Sequence, residues 1–348
     1  MLWVEGTSSL YYKKLNSNGV SISPDIPVTN SYYPYNSLLD HDLVIDSGNN
    51  IHIVWRGSSG AIYYKKLNNN GINLTSELTI AAYNNNYRRP SIDADSIGNI
   101  HLTYLQPGSW NIANAILYKK LDNNGNNLTG EIATTYSWTE SFDEPQIVAD
   151  SNGNLHISYY RYYTCGSSTC FDVVYQKLTS NGGVVYSNYL GSGSNPSIAI
   201  DNNNNAHIVF NSVAGFMPNP INSEIKYAKV NSSGSVLVSD KRLTYDTYPS
   251  DVADVAVDSE NNIHIVWQDS RDINNEIYYK RSFAPINMIG TPSIGSQVTF
   301  KISDPNNPNS VYGSALSFGT NQGIPLGDGR ALPLNNDGAF YYSVAYPQ

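Results

Sequence analysis

Charge is scarce in this chain. Only 14% of its 348 residues are Asp, Glu, Lys or Arg, and the 20 Lys and Arg form no basic run. With a net charge of -9 and a pI of about 5.0, the chain lacks the electrostatic footprint of a nucleic-acid binder or a protein that docks on anionic membrane. No apolar stretch approaches the roughly 18 residues needed to cross a bilayer, so membrane insertion is not expected. The first residues, MLWVEG, have neither a basic n-region nor an h-region, and they begin inside a repeat. A sustained 3.6-residue period is also missing, so helix content is expected to be very low. Only two cysteines occur, Cys165 and Cys170, separated by four residues between strand-like flanks. That spacing suits a disulfide closing a hairpin loop better than a free pair or half a zinc site, which would want two more soft ligands nearby. It favours an extracellular or cell-surface location.

What is present is a 40% hydrophobic complement, with Tyr (28 residues), Asn, Ser and Gly abundant. A real core can therefore be buried. An internal repeat organises it. Histidines at 52, 101, 156, 207 and 264 lie in IHIVW, IHLTY, LHISY, AHIVF and IHIVW, about fifty residues apart. Six residues before each stands an Asp: Asp46, Asp95, Asp150, Asp201 and Asp258. After each His, across a variable loop, comes a second signature, IYYKKL, ILYKKL, VVYQKL, IKYAKV or IYYKR. Asn/Gly turns and another β-prone run usually follow. Each unit reads as four strands, a to d, rich in Val, Ile, Tyr and Thr at period two.

Four-stranded units of this length predict an all-β chain folded as a β-propeller, six-bladed, over residues 1–284. The repeats fall at about 1–29, 30–80, 81–133, 134–190, 191–244 and 245–284. The first lacks strand a and the last lacks strand d. A larger propeller is the alternative count. From residue 285 to 348 the pattern changes to a small sandwich-like β module.

Paired Asp and His usually suggest catalysis or a metal. Here equivalent positions are dispersed around a ring and cannot converge on one small substrate. A structural role is expected for the pairs Asp46/His52, Asp95/His101, Asp150/His156, Asp201/His207 and Asp258/His264. The Asp accepts backbone N–H groups across the a–b turn, and a neutral imidazole donates to it or to a neighbouring backbone carbonyl, fixing hairpin register for about 1 kcal/mol. The strand-c tyrosines are expected to pack with wet hydroxyls, and the lysines to face solvent. A calcium reading of DSNGN and DNNNN lacks the second carboxylate and the closing acidic residue. No metal and no cofactor are expected.

The units, most closely residues 254–282 (DVAVDSENNIHIVWQDSRDINNEIYYKRS), resemble the sialidase-like or BNR-type propeller repeats of secreted proteins. In that family an Asp-box turn follows strand c. Here the matching turns, such as LNNNGINLT and LDNNGNNLT, keep the place but lose the Asp and Trp. The resemblance implies architecture. A sialidase would also need three arginines on the substrate carboxylate, a Tyr/Glu nucleophile pair and an Asp acid/base. Arg56, Arg88, Arg89, Arg161 and Arg271 are candidates that no motif fixes as a triad, so no catalytic residue is assigned.

Function is expected on the face where the b–c and d–a loops emerge, because those loops vary while the other turns are uniform. Trp3, Trp55 and Trp267 occupy the repeating strand-b position and belong to the core. Trp110 and Trp138 fall outside the register; they suit stacking on a sugar or a partner protein, or equally burial by their own loops folding back. With Arg88, Arg89, Arg161, Arg271, Tyr136 and Glu140 they form the candidate binding set. Glu140, Asp143 and Glu144 could seed a glycosidase-type carboxylate pair, although acidic loop residues are more often only solvated. The sequence reading is a non-catalytic propeller recognising a glycan or protein ligand. The alternatives are a sialidase-like glycoside hydrolase and a spacer module of a larger surface protein. The oligomeric state is left open.

Overall fold

The computed structural model describes residues 1–5, 9–29, 40–57, 60–82, 87–212, 223–245, 248–272 and 274–282, and six short strands beyond them. Parts of three expected recognition loops, within 30–39, 83–86 and 213–222, lie outside the described residues. The chain divides into two units, residues 1–282 and 283–348.

The first unit is a six-bladed β-propeller without helix among the described residues. Blade 1 comprises β1 (Leu2–Glu5), β2 (Ser9–Tyr12) and β3 (Ile26–Pro27). Blade 2 comprises β4 (His41–Ile45), β5 (Ile51–Arg56), β6 (Ile62–Leu67) and β7 (Leu78–Ala81). Blade 3 holds β8 (Arg88–Ala94), β9 (Ile100–Gln106), β10 (Asn114–Leu121) and β11 (Ile132–Ser137). Blade 4 holds β12 (Ser141–Ala149), β13 (Leu155–Cys165), β14 (Ser168–Leu178) and β15 (Val184–Ser192). Blade 5 holds β16 (Ser194–Ile200), β17 (Ala206–Asn211), β18 (Ile225–Val230) and β19 (Val236–Arg242). Blade 6 ends the unit with β20 (Ser250–Val257), β21 (Ile263–Asp272) and β22 (Asn274–Ser282). Each blade is an antiparallel meander in sequence order. In the second unit, β23 (Asn287–Ile289) pairs with β24 (Thr299–Lys301), β25 (Tyr312–Leu316) with β28 (Tyr341–Ala345), and β26 (Ile324–Pro325) with β27 (Ala331–Leu332).

Alternation along each strand sends one set of side chains to the preceding blade and the other to the next. Ile51, Ile53 and Trp55 pack on Leu10, Tyr12 and Val28 of blade 1, while Val54, Ile62 and Tyr64 pack on Ile100, Leu102 and Tyr104 of blade 3. Five such clusters join successive blades from 1 to 6. Each fully buried Ile or Tyr contributes about 1.5–3 kcal/mol, so the interfaces between blades are the core. Among the described residues no such cluster joins blade 6 back to blade 1. Ile277 and Tyr279 are 75% and 57% exposed, whereas Ile62 and Tyr64, at the same repeat positions, are fully buried.

The a–b turn explains the Asn/Gly spelling of the repeat. Its fourth residue takes a positive φ in Asn49, Gly98, Gly153, Asn204 and Asn261, the residue types that tolerate it. The Asp carboxylate closes the turn: Asp95 accepts from the Asn99 backbone N–H at 2.8 Å and from Asn99 Nδ2 at 2.8 Å. His101 Nε2 lies 3.1 Å from the same carboxylate, and its Nδ1 lies 2.9 Å from the Tyr118 hydroxyl on strand c. The same Asp–His–Tyr chain recurs as Asp46–His52–Tyr64, Asp150–His156–Tyr175, Asp201–His207–Tyr227 and Asp258–His264–Tyr279.

Three expectations need correction. The strand-c tyrosine hydroxyls are not wet in blades 2 to 4: Tyr64, Tyr118 and Tyr175 are fully buried and bonded to the histidines. Nor do the first lysines of this signature in blades 2 and 3 face solvent. Lys65 and Lys119 are 4% and 7% exposed, and their ammonium groups donate to the Val28 and Ile80 carbonyls of the preceding blade at 2.7 and 2.6 Å. A long stem buried among blades can still satisfy its charge at a neighbour's strand edge. Finally, residues 161–172, expected as one of the variable b–c loops, are not a loop. They extend the β13–β14 ladder through Arg161↔Asp172 and Tyr163↔Cys170 to Cys165↔Ser168. The disulfide expected there joins Cys165 and Cys170, with Cα atoms 5.8 Å apart.

Candidate functional site: a carboxylate-lined axial funnel

Strand a is innermost in every complete blade, and in blades 3 to 6 it starts with a bulge. Its register with strand b slips between Arg88 and Ser91, Asp143 and Gln146, Ser194 and Ser197, and Asp251 and Asp254. Each bulge holds one residue in the left-handed region: Arg89 (φ 53°), Glu144 (φ 50°), Asn195 (φ 52°) and Val252 (φ 50°). For residues other than glycine this costs about 1–3 kcal/mol each, and such strain gathers at functional sites. All four line one cavity of 410 Å³, together with Asp40, Asp42 and Asp254. Five inner strands thus converge on a funnel whose lining differs from blade to blade, although the scaffold repeats.

Hydrogen bonds between successive inner strands fix the funnel wall. Asp42 accepts from the Ser91 hydroxyl and the Ile92 backbone N–H, both at 3.0 Å, and from the Leu43 N–H at 2.8 Å. Ser197 donates to Asp254 at 2.6 Å. Deeper on the axis, Asp93 accepts from the Ala149 N–H at 2.7 Å. Burial pushes the Asp42 carboxyl up to about 6 against its three hydrogen bonds, with the Asp254 charge adding to the rise. Asp93 is likewise pushed up to about 6 by burial. Burial also raises Glu144, which the Arg89 guanidinium only partly offsets.

Arg89 is the one arginine among the described residues that line the funnel. It reaches Asp40 at 3.5 Å, Asp143 at 3.4 Å and Glu144 at 3.7 Å, spanning blades 2 and 4. Burial disfavours its charge, but the carboxylates of Asp40, Asp143 and Glu144 outweigh this and raise its pKa. The chemistry on offer is a protonatable carboxyl, Asp42, an exposed carboxylate, Asp254, and a half-buried Glu144 oriented by a guanidinium. That set can donate a proton to a leaving oxygen and receive one from water or stabilise a cationic carbon.

The sequence-derived candidates disperse. Of the arginines, only Arg89 lines the funnel. Arg56 sits behind it, 3.7 Å from Asp40. Arg161 pairs with Glu140 and Asp172 on blade 4, Arg271 pairs with Asp269, and Arg88 is exposed on β8. Burial lowers the Arg56 pKa and the nearby Arg88 and Arg89 charges add to this, so these three lie near one another. Among the described residues, however, only Arg89 lines the funnel and no three arginines face that cavity together. Trp110 is 93% exposed on a turn beside the Ser109↔Ile112 bridge. Trp138 and Tyr136, 64% and 68% exposed, flank the junction from blade 3 to blade 4, and Glu140 follows them. None of these four lines the funnel. Of the acids beside Trp138, Glu144 reaches it through the bulge. Asp42 and Asp254 were missed because strand a was read as scaffold. The signal was their position four residues before the repeat aspartate, where the other blades carry Ser91, Gln146 and Ser197.

No protein-family model and no curated protein matches the sequence. Solved structures do match in fold. The α-L-arabinanase of Penicillium chrysogenum, complexed with arabinobiose, superposes with a TM-score of 0.53 at 12% identity, covering 79% of this chain and 85% of that one. The α-L-arabinofuranosidase of Fusarium graminearum gives 0.50 at 9% identity over 79% and 85%. A Dyadobacter fermentans protein of unknown function gives 0.52 at 11% over 80% and 84%. At such identities the likeness establishes the fold. It also overturns the expectation of a propeller that does no chemistry, since those of the three with a named activity are glycoside hydrolases.

Proposed function

We propose that the chain is a glycoside hydrolase whose reacting groups stand in the axial funnel, with Asp42 as general acid and Asp254 as the second carboxylate. The observation that carries this reading is a half-buried Asp42 carboxyl, raised to about 6, facing a cavity shared with a solvent-exposed carboxylate. Glu144, held by Arg89, positions and polarises the substrate beside them. The acids of the funnel outnumber its one lining arginine, which favours a neutral sugar over an acidic one such as sialic acid. Arabinose-based oligosaccharides are the first substrates to try, because the fold neighbours include an arabinanase and an arabinofuranosidase. The Cys165–Cys170 bond supports an oxidising, extracellular setting.

The test is release of reducing ends from a panel of neutral arabino- and xylo-oligosaccharides and 4-nitrophenyl pentosides, measured from pH 4 to 8. Activity should fall as pH rises through about 6, where Asp42 loses the proton it must donate. An inert panel, or a rate that climbs steadily to pH 8, would sink the assignment.

A further inference from the structure

Blade 4 departs from the repeat at one buried position. Where blades 2 and 3 place Lys65 and Lys119 to bond the preceding blade, strand c of blade 4 has Gln176. Its Nε2 keeps the bond between blades, donating to the Thr134 carbonyl at 3.4 Å. Its Oε1 has no partner, although the residue is only 4% exposed. A buried acceptor left unsatisfied costs about 1–3 kcal/mol and asks for a donor. Gln176 lines a cleft of 280 Å³ that crosses blade 4 from strand a to strand d on the side facing blade 3.

We propose that this cleft is a second saccharide subsite, holding a neutral sugar unit of a chain whose scissile bond lies in the funnel. One end is polar: Arg161 is held 3.3 Å from Glu140 and 3.1 Å from Asp172, a guanidinium–carboxylate pair of the kind that brackets vicinal hydroxyls. The floor is aromatic, with Phe142 and Tyr159 edge to face at 5.7 Å. Tyr189, 56% exposed, stands at the outer end as a stacking surface. A sugar hydroxyl supplies the donor that Gln176 Oε1 lacks, while the ring covers apolar surface. The geometry also links the two sites. Glu140 and Phe142 in the cleft precede Glu144 in the funnel on the same inner segment, so a chain leaving the funnel along β12 enters the cleft. The proposal rests on the hydrolase reading for its substrate, but its binding element can be tested without it.

Gln176→Lys restores the residue of blades 2 and 3, keeps a donor for the Thr134 carbonyl and removes the acceptor. Tyr189→Ala tests the outer end without touching a buried group. Each should raise the KM for a pentose oligosaccharide of five or six units about fivefold relative to the KM for a single-unit 4-nitrophenyl pentoside, which is too short to reach the cleft. An unchanged ratio in both variants means that the cleft holds only water, and it overturns the proposal. If the wild type cleaves nothing, calorimetric binding of the same oligosaccharides decides. Binding lost in Gln176→Lys supports the cleft while the hydrolase reading fails, and equal binding by both chains removes the cleft as well.

Discussion

Replacing His101 by Phe and, separately, His264 by Phe applies one chemical change to two copies of the same device. The bonds are alike. His101 lies 3.1 Å from Asp95 and 2.9 Å from Tyr118, and His264 lies 3.0 Å from Asp258 and 2.7 Å from Tyr279. Their surroundings are not. The His101 and Asp95 side chains are 0% and 4% exposed, against 30% and 31% for His264 and Asp258. In blade 3, Phe removes one bond to a charged group and one neutral bond where no water can replace them. Asp95 keeps its bonds from Asn99, so the loss is about 3 kcal/mol rather than that of an orphaned buried charge. In blade 6 water takes over both partners, and the loss should stay below about 1 kcal/mol. Thermal unfolding followed by circular dichroism should show His101→Phe lowering Tm by roughly 6–10 °C and His264→Phe by less than about 3 °C. Equal shifts would refute the claim that burial, not bond geometry, gives the Asp–His–Tyr chain its value.

Acid should unfold the propeller through the same groups. Burial lowers the pKa of His52, His101, His156 and His207, more than the neighbouring aspartates raise it, so the native state prefers the neutral ring. Their contribution is complete above about 6.5 and is lost as pH falls through the lowered folded values, each site adding a slope of up to about 1.4 kcal/mol per pH unit. The partner aspartates Asp46, Asp95, Asp150 and Asp201 are lowered by bonds from the turn asparagines and the histidines, which overcome burial, and they extend the loss to lower pH. Urea midpoints should therefore drop steadily from pH 7 to 4, and a flat profile would contradict this. Gly182→Ala should cost about 2 kcal/mol, because Gly182 sits at φ 86° and an added Cβ would strike the Tyr118 ring of the preceding blade. A denaturation midpoint equal to wild type would show that the turn can move away.

Architecture was readable because it repeats: five Asp–x5–His spacings and five tyrosine-bearing strands announced the blades, and turn residues with φ above zero explain their Asn and Gly. The lysines misled, since a charged residue at a strand's alternating position reads as solvated until the neighbouring blade supplies a carbonyl. Residues 161–172 misled differently, because two cysteines around Gly-Ser-Ser resemble a loop when the hairpin is in fact paired to its tip. The funnel was hidden by the success of the repeat. Asp42 and Asp254 were absorbed into strand a, and only three-dimensional closure shows that the first residues of five such strands share one cavity. The exposed tryptophans drew attention outward because single residues outside a repeat are conspicuous, whereas an axis is a property of the ring.

The most direct test of the axial site is the initial rate of Asp42→Asn on the best neutral oligosaccharide of the panel, beside wild type and Glu144→Gln at pH 5. Asn keeps an oxygen for the Ser91 and Ile92 bonds but cannot give up a proton as an acid does. The account predicts a loss of at least about 100-fold for Asp42→Asn with an unchanged circular dichroism spectrum, and a smaller loss for Glu144→Gln. A rate for Asp42→Asn within twofold of wild type would contradict it.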